Sequence, residues 1–283
     1  MLLRKLIILF LLFASLSSAA EELNQEDENN SDDEFSWQFT GHLSAIYNPT
    51  ILKNVEQQNF GDYVAISLRL DLYYKGFFLE SNRRRVEGGL NGSTLGYQLI
   101  VKDKWELDII TKNYVFGYEP GDIVDDHPDA APIFEGLNDR DPGNGLALKY
   151  SQFIDEDIFS IDLVALAPNK DHNGWMIETF YSHLIPYRNW DIYLGGGLTF
   201  YSDKIVDYYV GIDPDEVNDF REEYQPSNGY RAQLEIFAQY PIYNSWTFNA
   251  GITQSFYSSS FGNSPLIGTQ HTTQVLIGVA YVF

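Results

Sequence analysis

Apolar and polar residues alternate with a period of two along most of this chain. The pattern is cleanest over residues 62–74, where Val64, Ile66, Leu68, Leu70, Leu72 and Tyr74 alternate with Ala65, Ser67, Arg69, Asp71 and Tyr73. Successive side chains of a strand point to opposite faces, so each such segment predicts a strand with one apolar and one polar face. Twelve segments are predicted: Ser36–Asn48, Asp62–Tyr74, Phe77–Val86, Thr94–Val101, Trp105–Phe116, Leu146–Phe153, Ile158–Ala167, Trp175–Ile185, Trp190–Tyr201, Tyr230–Tyr240, Trp246–Tyr257 and 272–283. The third is weakly patterned. In the last, Val275, Ile277, Val279, Tyr281 and Phe283 share one face, and Gln274, Gly278 and Ala280 the other.

The connections carry a second regularity. Those after strands two, four, six, eight and ten are turns of a few residues. Those after the odd-numbered strands are mostly longer, reaching 117–145 and 202–229. Short turns at one end and long loops at the other are the habit of a transmembrane, antiparallel, up-and-down β-barrel. Only closure satisfies the backbone of so many strands in lipid. The count is twelve, with ten as the alternative. The parity places both termini and the short turns in the periplasm and the long loops outside. Val279, Tyr281 and Phe283 form the candidate assembly signal for the barrel assembly machinery.

Composition fits this fold. The chain has 20 Tyr and 19 Phe, enough for two interfacial girdles. Mean hydropathy is −0.25; strands that meet lipid only at every second residue pass as soluble. Residues 1–20 read as a secretory signal: Arg4 and Lys5, an apolar run from Leu6 to Leu16, then Ser18-Ala19-Ala20. That run is too short to span a bilayer as a helix, which takes ~20 residues. Residues 21–34 hold eight acids and no base, and read as a disordered periplasmic tail ahead of a barrel over 35–283. There is no cysteine, hence neither a disulfide nor a cysteine-borne lipid. A formal charge of −22 argues against a nucleic-acid partner.

Several segments resemble the MltA-interacting protein/OmpV (MipA/OmpV) family of outer-membrane proteins. The most specific is Ser202–Glu216 (SDKIVDYYVGIDPDE), where Ile205 and Val210 stand in place of the family's usual aromatics. Tyr74–Leu79, Phe134–Leu137 followed by Asp139-Arg140, and the closing Gly278–Phe283 are weaker matches. The resemblance implies an outer-membrane barrel. It also implies a scaffold joining a murein-degrading transglycosylase to a murein synthase, or an adhesion or osmotic-response porin-like role. It supplies no catalytic residues.

The remaining candidates are weighed from their residue types. A lipid-face hydrolase would need neighbouring Ser and His. Ser182 and His183 are adjacent, hence on opposite faces, and His42 with Ser44 lies on the polar, lumenal face. Asp125-Asp126-His127 reads as a solvated acidic loop. Residues 138–145 have the composition of a calcium loop but lack its spacing and closing Glu. No catalytic residue, cofactor or metal site is assigned, and the chain is read as a non-enzyme. The acidic loops are either hydrated or share divalent cations with lipopolysaccharide. Arg83, Arg84 and Arg85 are candidates for lipopolysaccharide phosphate, with charge balance against the acidic loops as the competing reading. Lumen candidates of both signs are Arg69, Asp71, Glu106, Asp108, Arg231 and Glu235. Two functions follow: an interaction scaffold near the murein machinery, or a small-solute channel. Surface adhesion through the loops is a third.

Overall fold

The computed structural model describes residues 35–81, 86, 93–166 and 173–283. The readings placed on residues 1–34 and on Arg83, Arg84 and Arg85 lie outside them. The described chain closes into a barrel of twelve antiparallel strands, each paired with its sequence neighbours and β12 with β1. The strands are β1 (Phe35–Tyr47), β2 (Val64–Tyr74), β3 (Phe77–Ser81), β4 (Ser93–Lys102), β5 (Trp105–Val115), β6 (Gly143–Ile154), β7 (Asp157–Leu166), β8 (Trp175–Tyr187), β9 (Trp190–Tyr201), β10 (Gly229–Tyr243), β11 (Trp246–Tyr257) and β12 (His271–Val282). The twelve-strand count is borne out, and β9 and β11 begin and end where the alternation does.

The even-numbered strands lead into short turns with left-handed residues at Lys75, Asp155, Arg188 and Asn244. Lys75 and Gly76 both have positive φ, 48° and 83°, as a two-residue type I′ hairpin requires. Outward residues are apolar and exposed, among them Ile66, Leu68 and Leu234. Aromatic side chains band the turn end: Phe39 lies 5.0 Å from Phe283, and Trp246 5.0 Å from Tyr281. Trp175 stacks on Phe200 near the loop end, 5.8 Å apart. Bands of this kind mark the two membrane–water interfaces. The Phe283 N–H donates to the Phe39 carbonyl, so the last residue locks the seam between β12 and β1.

The lumen departs from a simple polar-in pattern. Inward positions include buried Phe78, Ile110, Val164, Met176, Phe180, Tyr193, Phe237 and Leu276 alongside buried polar residues. The Phe180 ring lies against Gly195 and Gly197; a Cβ on Gly195 would come within 2.7 Å of it, so glycine makes the room. β3 is described as far as Ser81, which pairs with Ser93 of β4 and whose N–H donates to Asp71 Oδ1 at 2.6 Å; residues 82–85, read as the strand's continuation, lie outside the described residues. Val86, read as the end of that strand, is instead fully buried in the lumen. It packs with Ile46, Tyr193, Phe237 and Leu276, and its N–H donates to Glu235 Oε2 at 3.0 Å.

Candidate functional site

The long connections keep most of their acids exposed, but they are not structureless. Three of them fold into short helices over the mouth: α1 (Pro120–Asp126), α2 (Ala131–Phe134), α3 (Asp203–Val210) and α4 (Ser259–Gly262). Ile205, Val206, Tyr209 and Val210 fall on one helical face of α3 and are all buried. They sit in one cluster with Phe261 of α4 and with Ile110, Val164 and Met176 of the lumen wall. Burial of each such side chain contributes roughly 1.5–3 kcal/mol, so α3 is docked into the barrel mouth. A second cluster is built mainly from the connections themselves: Ile123, Ala130, Ile133, Phe134, Leu137, Ile212 and Leu266. This gives the cap a core of its own.

A buried polar clasp joins the two largest connections. Glu216 Oε2 accepts from Arg140 Nη2 at 2.9 Å, and Glu216 Oε1 accepts from the backbone and side-chain nitrogens of Asn138 at 3.0 and 2.8 Å. The two charged side chains are 1 % and 7 % exposed. Burial disfavours the ionised Glu216, but the Arg140 and Asn138 hydrogen bonds outweigh it and leave its pKa below the ordinary value. Arg221, also buried, donates to the carbonyls of Glu216 and Ile133. Asn138 and Arg140, from the segment that has the composition of a calcium loop, are therefore part of the clasp. Among the described residues no group of three or more His, Cys, Asp or Glu could hold a metal.

Beneath the cap lies a chamber of about 490 Å³. Its floor and walls come from inward residues of several strands, including Lys112, Glu178, Arg231 and Gln274, and its roof includes Tyr209 and Phe261. Lys112 Nζ bridges Asp162 at 3.1 Å and Glu178 at 3.2 Å and lies 4.4 Å from the centre of the Tyr114 ring. Tyr114 in turn donates to Asp162 at 3.2 Å.

Of the sequence candidates, Arg69, Asp71, Asp108 and Glu235 are buried in the lumen, and Glu106 and Arg231 face inward half-buried. Arg231 reaches the chamber. Lys112, Asp162 and Glu178 also face inward there but were not singled out; their place in the alternation marks all three as inward. Val279, Tyr281 and Phe283 lie on the outward face of β12. Ser182 and His183 do point to opposite faces. Ser182 is buried, while His183 is exposed and pairs with Asp157 at 2.6 Å on the outer surface near the turn end. His127 lies between α1 and Pro128 and contacts Gln58 at 3.1 Å.

A closed twelve-strand ring with an apolar exterior, aromatic bands and a self-folded cap defines a transmembrane β-barrel of the outer-membrane class. The sequence profile of the MltA-interacting protein MipA family matches residues 43–283, and the chain belongs to that family. It is 22 % identical over 223 residues to a "24 kDa outer membrane protein" of Pasteurella multocida (strain Pm70), covering 76 % of this chain and 80 % of that one. Among solved structures it is similar to the outer-membrane channel DcaP of Acinetobacter baumannii, with 8 % identity, 88 % of this chain and 97 % of that chain covered, and a TM-score of 0.45. The COG4313 outer-membrane channel of Pseudomonas putida F1 is similar at 12 % identity, with 90 % and 99 % covered and a TM-score of 0.37.

Proposed function

We propose that this barrel is a gated, non-enzymatic small-solute channel, closed in the conformation described. The observation that carries this reading is the chamber: a polar, charged and aromatic cavity inside the ring, held under a cap that the protein builds from its own connections. The turn end and both termini then face the periplasm, and the cap, with its acidic surface toward lipopolysaccharide, faces outward. Planar-bilayer recording is the test. Wild-type protein is expected to show no steady conductance. A Glu216→Ala variant, with the clasp broken, is expected to show discrete, cation-preferring openings. Large steady currents from the wild type would overturn the closed state, and silence from the opened variant would overturn the channel.

A scaffold role near the murein machinery is the second reading, favoured by the partner in the family's name. The turns of the barrel are too short to hold a large partner, so this role would fall to residues 21–34. Deleting them should abolish co-purification of a murein transglycosylase; retention would sink the idea.

A further inference from the structure

We propose that the outer wall carries a phospholipid site beside the β6–β7 turn, selective for a headgroup ending in a primary ammonium, as in phosphatidylethanolamine. The site faces the bilayer rather than the lumen, so it stands apart from the chamber and from the channel reading.

The outward face of this barrel is apolar along most of its length, and a charged side chain set against hydrocarbon is costly. A hydrogen-bonded trio on β7 and β8 departs from that rule. Asp157 Oδ1 lies 2.6 Å from His183 Nδ1, and the Tyr181 hydroxyl donates to Asp157 Oδ2. Asp157 opens β7, two residues after the left-handed Asp155 of the turn. The trio therefore lies near the rim, where headgroups meet the wall.

The trio offers acceptors. A carboxylate only accepts, so His183 Nδ1 carries the proton between them, and the neutral ring presents Nε2 as an acceptor. The Tyr181 hydrogen is spent on Asp157, which leaves the phenol oxygen as a second acceptor. These groups are within reach of a ligand: the His183 side chain is 48 % exposed and that of Asp157 17 %. Charge agrees with this. Asp155 and Glu156 flank Asp157 and are exposed, and residues 150–169 contain no Lys or Arg. An anionic headgroup would meet carboxylates here. A choline brings positive charge but no N–H. A primary ammonium brings three donors on one positive charge, and its bonds to a carboxylate are charge-assisted.

The wall also leaves room for an acyl chain. Across the β8–β9 ladder His183 pairs with Leu194 and Tyr181 with Gly196. Gly196 faces outward, and a Cβ there would meet nothing nearer than Leu234 Cδ2 at 3.9 Å. The surface is notched at this point, in a groove that the trio lines together with Leu194 and Gly196. From His183 to Tyr181 the groove runs away from the turn, toward exposed Leu198 and Leu234. An acyl chain extends in that direction from a headgroup held at the rim.

The test is native mass spectrometry of the full-length barrel, released from detergent at pH 8 with equimolar phosphatidylethanolamine, phosphatidylcholine and phosphatidylglycerol of matched chains. Phosphatidylethanolamine is expected to be retained about fivefold or more over either other lipid, as one charge-assisted hydrogen bond implies. Asp157→Asn removes the charge and should erase most of that preference, leaving phosphatidylcholine retention unchanged. Gly196→Leu fills the notch without a clash in the wall and should weaken phosphatidylethanolamine retention about threefold or more, as the loss of apolar contact along the chain implies. Heat-modifiable gel mobility confirms that each variant is folded. The inference is overturned if phosphatidylcholine or phosphatidylglycerol is retained as well as phosphatidylethanolamine, or if both folded variants retain it like the wild type.

Discussion

Replacing Glu216 by alanine should unlatch the cap without unfolding the barrel. The carboxylate accepts from Arg140, from two nitrogens of Asn138 and from the Asp213 N–H at 3.2 Å. Removing it leaves the Arg140 guanidinium charged and 7 % exposed, against the Gly211 carbonyl at 3.4 Å and the Tyr208 ring at 5.8 Å, without the carboxylate that balances it. Breaking a buried pair from one side costs about 3–5 kcal/mol. At about 1.4 kcal/mol per decade this is on the order of 10²- to 10³-fold in the equilibrium between closed and open cap. The strand ladders hold none of these atoms, so the barrel's own thermal transition should stay put. Hydrogen exchange reads the difference: amides of 131–137 and 205–212 should lose protection by that factor, and those of β9 to β12 should not. A double variant, Arg140→Met with Glu216→Leu, should cost less than Glu216→Ala alone, because it leaves no stranded charge. Wild-type protection of the cap in Glu216→Ala, or a double variant worse than the single, would refute this account of the clasp.

Three further outcomes are expected. Glu216 is held below the ordinary glutamate value of 4.5, so its contribution is fully present above that pH and is lost as pH falls through the lower folded value. Asp207, raised by burial and by the nearby Asp213, acts in the opposite sense and offsets part of this; exchange of the cap should still accelerate below about pH 4.5, and Glu216→Gln should flatten that dependence. Gly195→Leu would drive a side chain into the Phe180 ring, and overpacking of this sort costs about 1–3 kcal/mol; a fall in the melting temperature measures it, and an unchanged value would show that the lumen has slack. Phe283→Ala removes a ring packed at 5.0 Å from Phe39 and 4.8 Å from Tyr281 at the seam; the yield of heat-modifiable barrel should drop, and wild-type yield would rule out a role in assembly.

The strands were legible because a membrane barrel writes its two environments into alternate residues, and β2, β9, β10 and β11 keep that alternation almost throughout. The cap was legible only in part. Ile205, Val206, Tyr209 and Val210 carry a helical period, but they sit among Asp203, Asp207 and Asp213, and the charge masked the face. Glu216 and Arg140 lie 76 residues apart, and no local pattern joins them. The filled lumen had its own signal. Doubled apolar pairs such as Ile109-Ile110 and the run Leu163–Leu166 break the alternation where a wall residue packs inward. Val86, read as the end of β3, is placed instead by Ile46, Tyr193, Phe237 and Leu276 and by the Glu235 carboxylate, contacts distant in sequence that the segment itself does not carry.

Val86 lies inside a closed ring, with Glu235 of the far wall accepting its backbone N–H. A main-chain group of the β3–β4 connection is thus tied directly to the β10 wall, so the bore at this level is shaped by backbone as well as by side chains. Substitution of Val86 can trim the side chain there but cannot clear the peptide, whereas loss of the Glu235 carboxylate takes away the acceptor that this N–H has in the lumen.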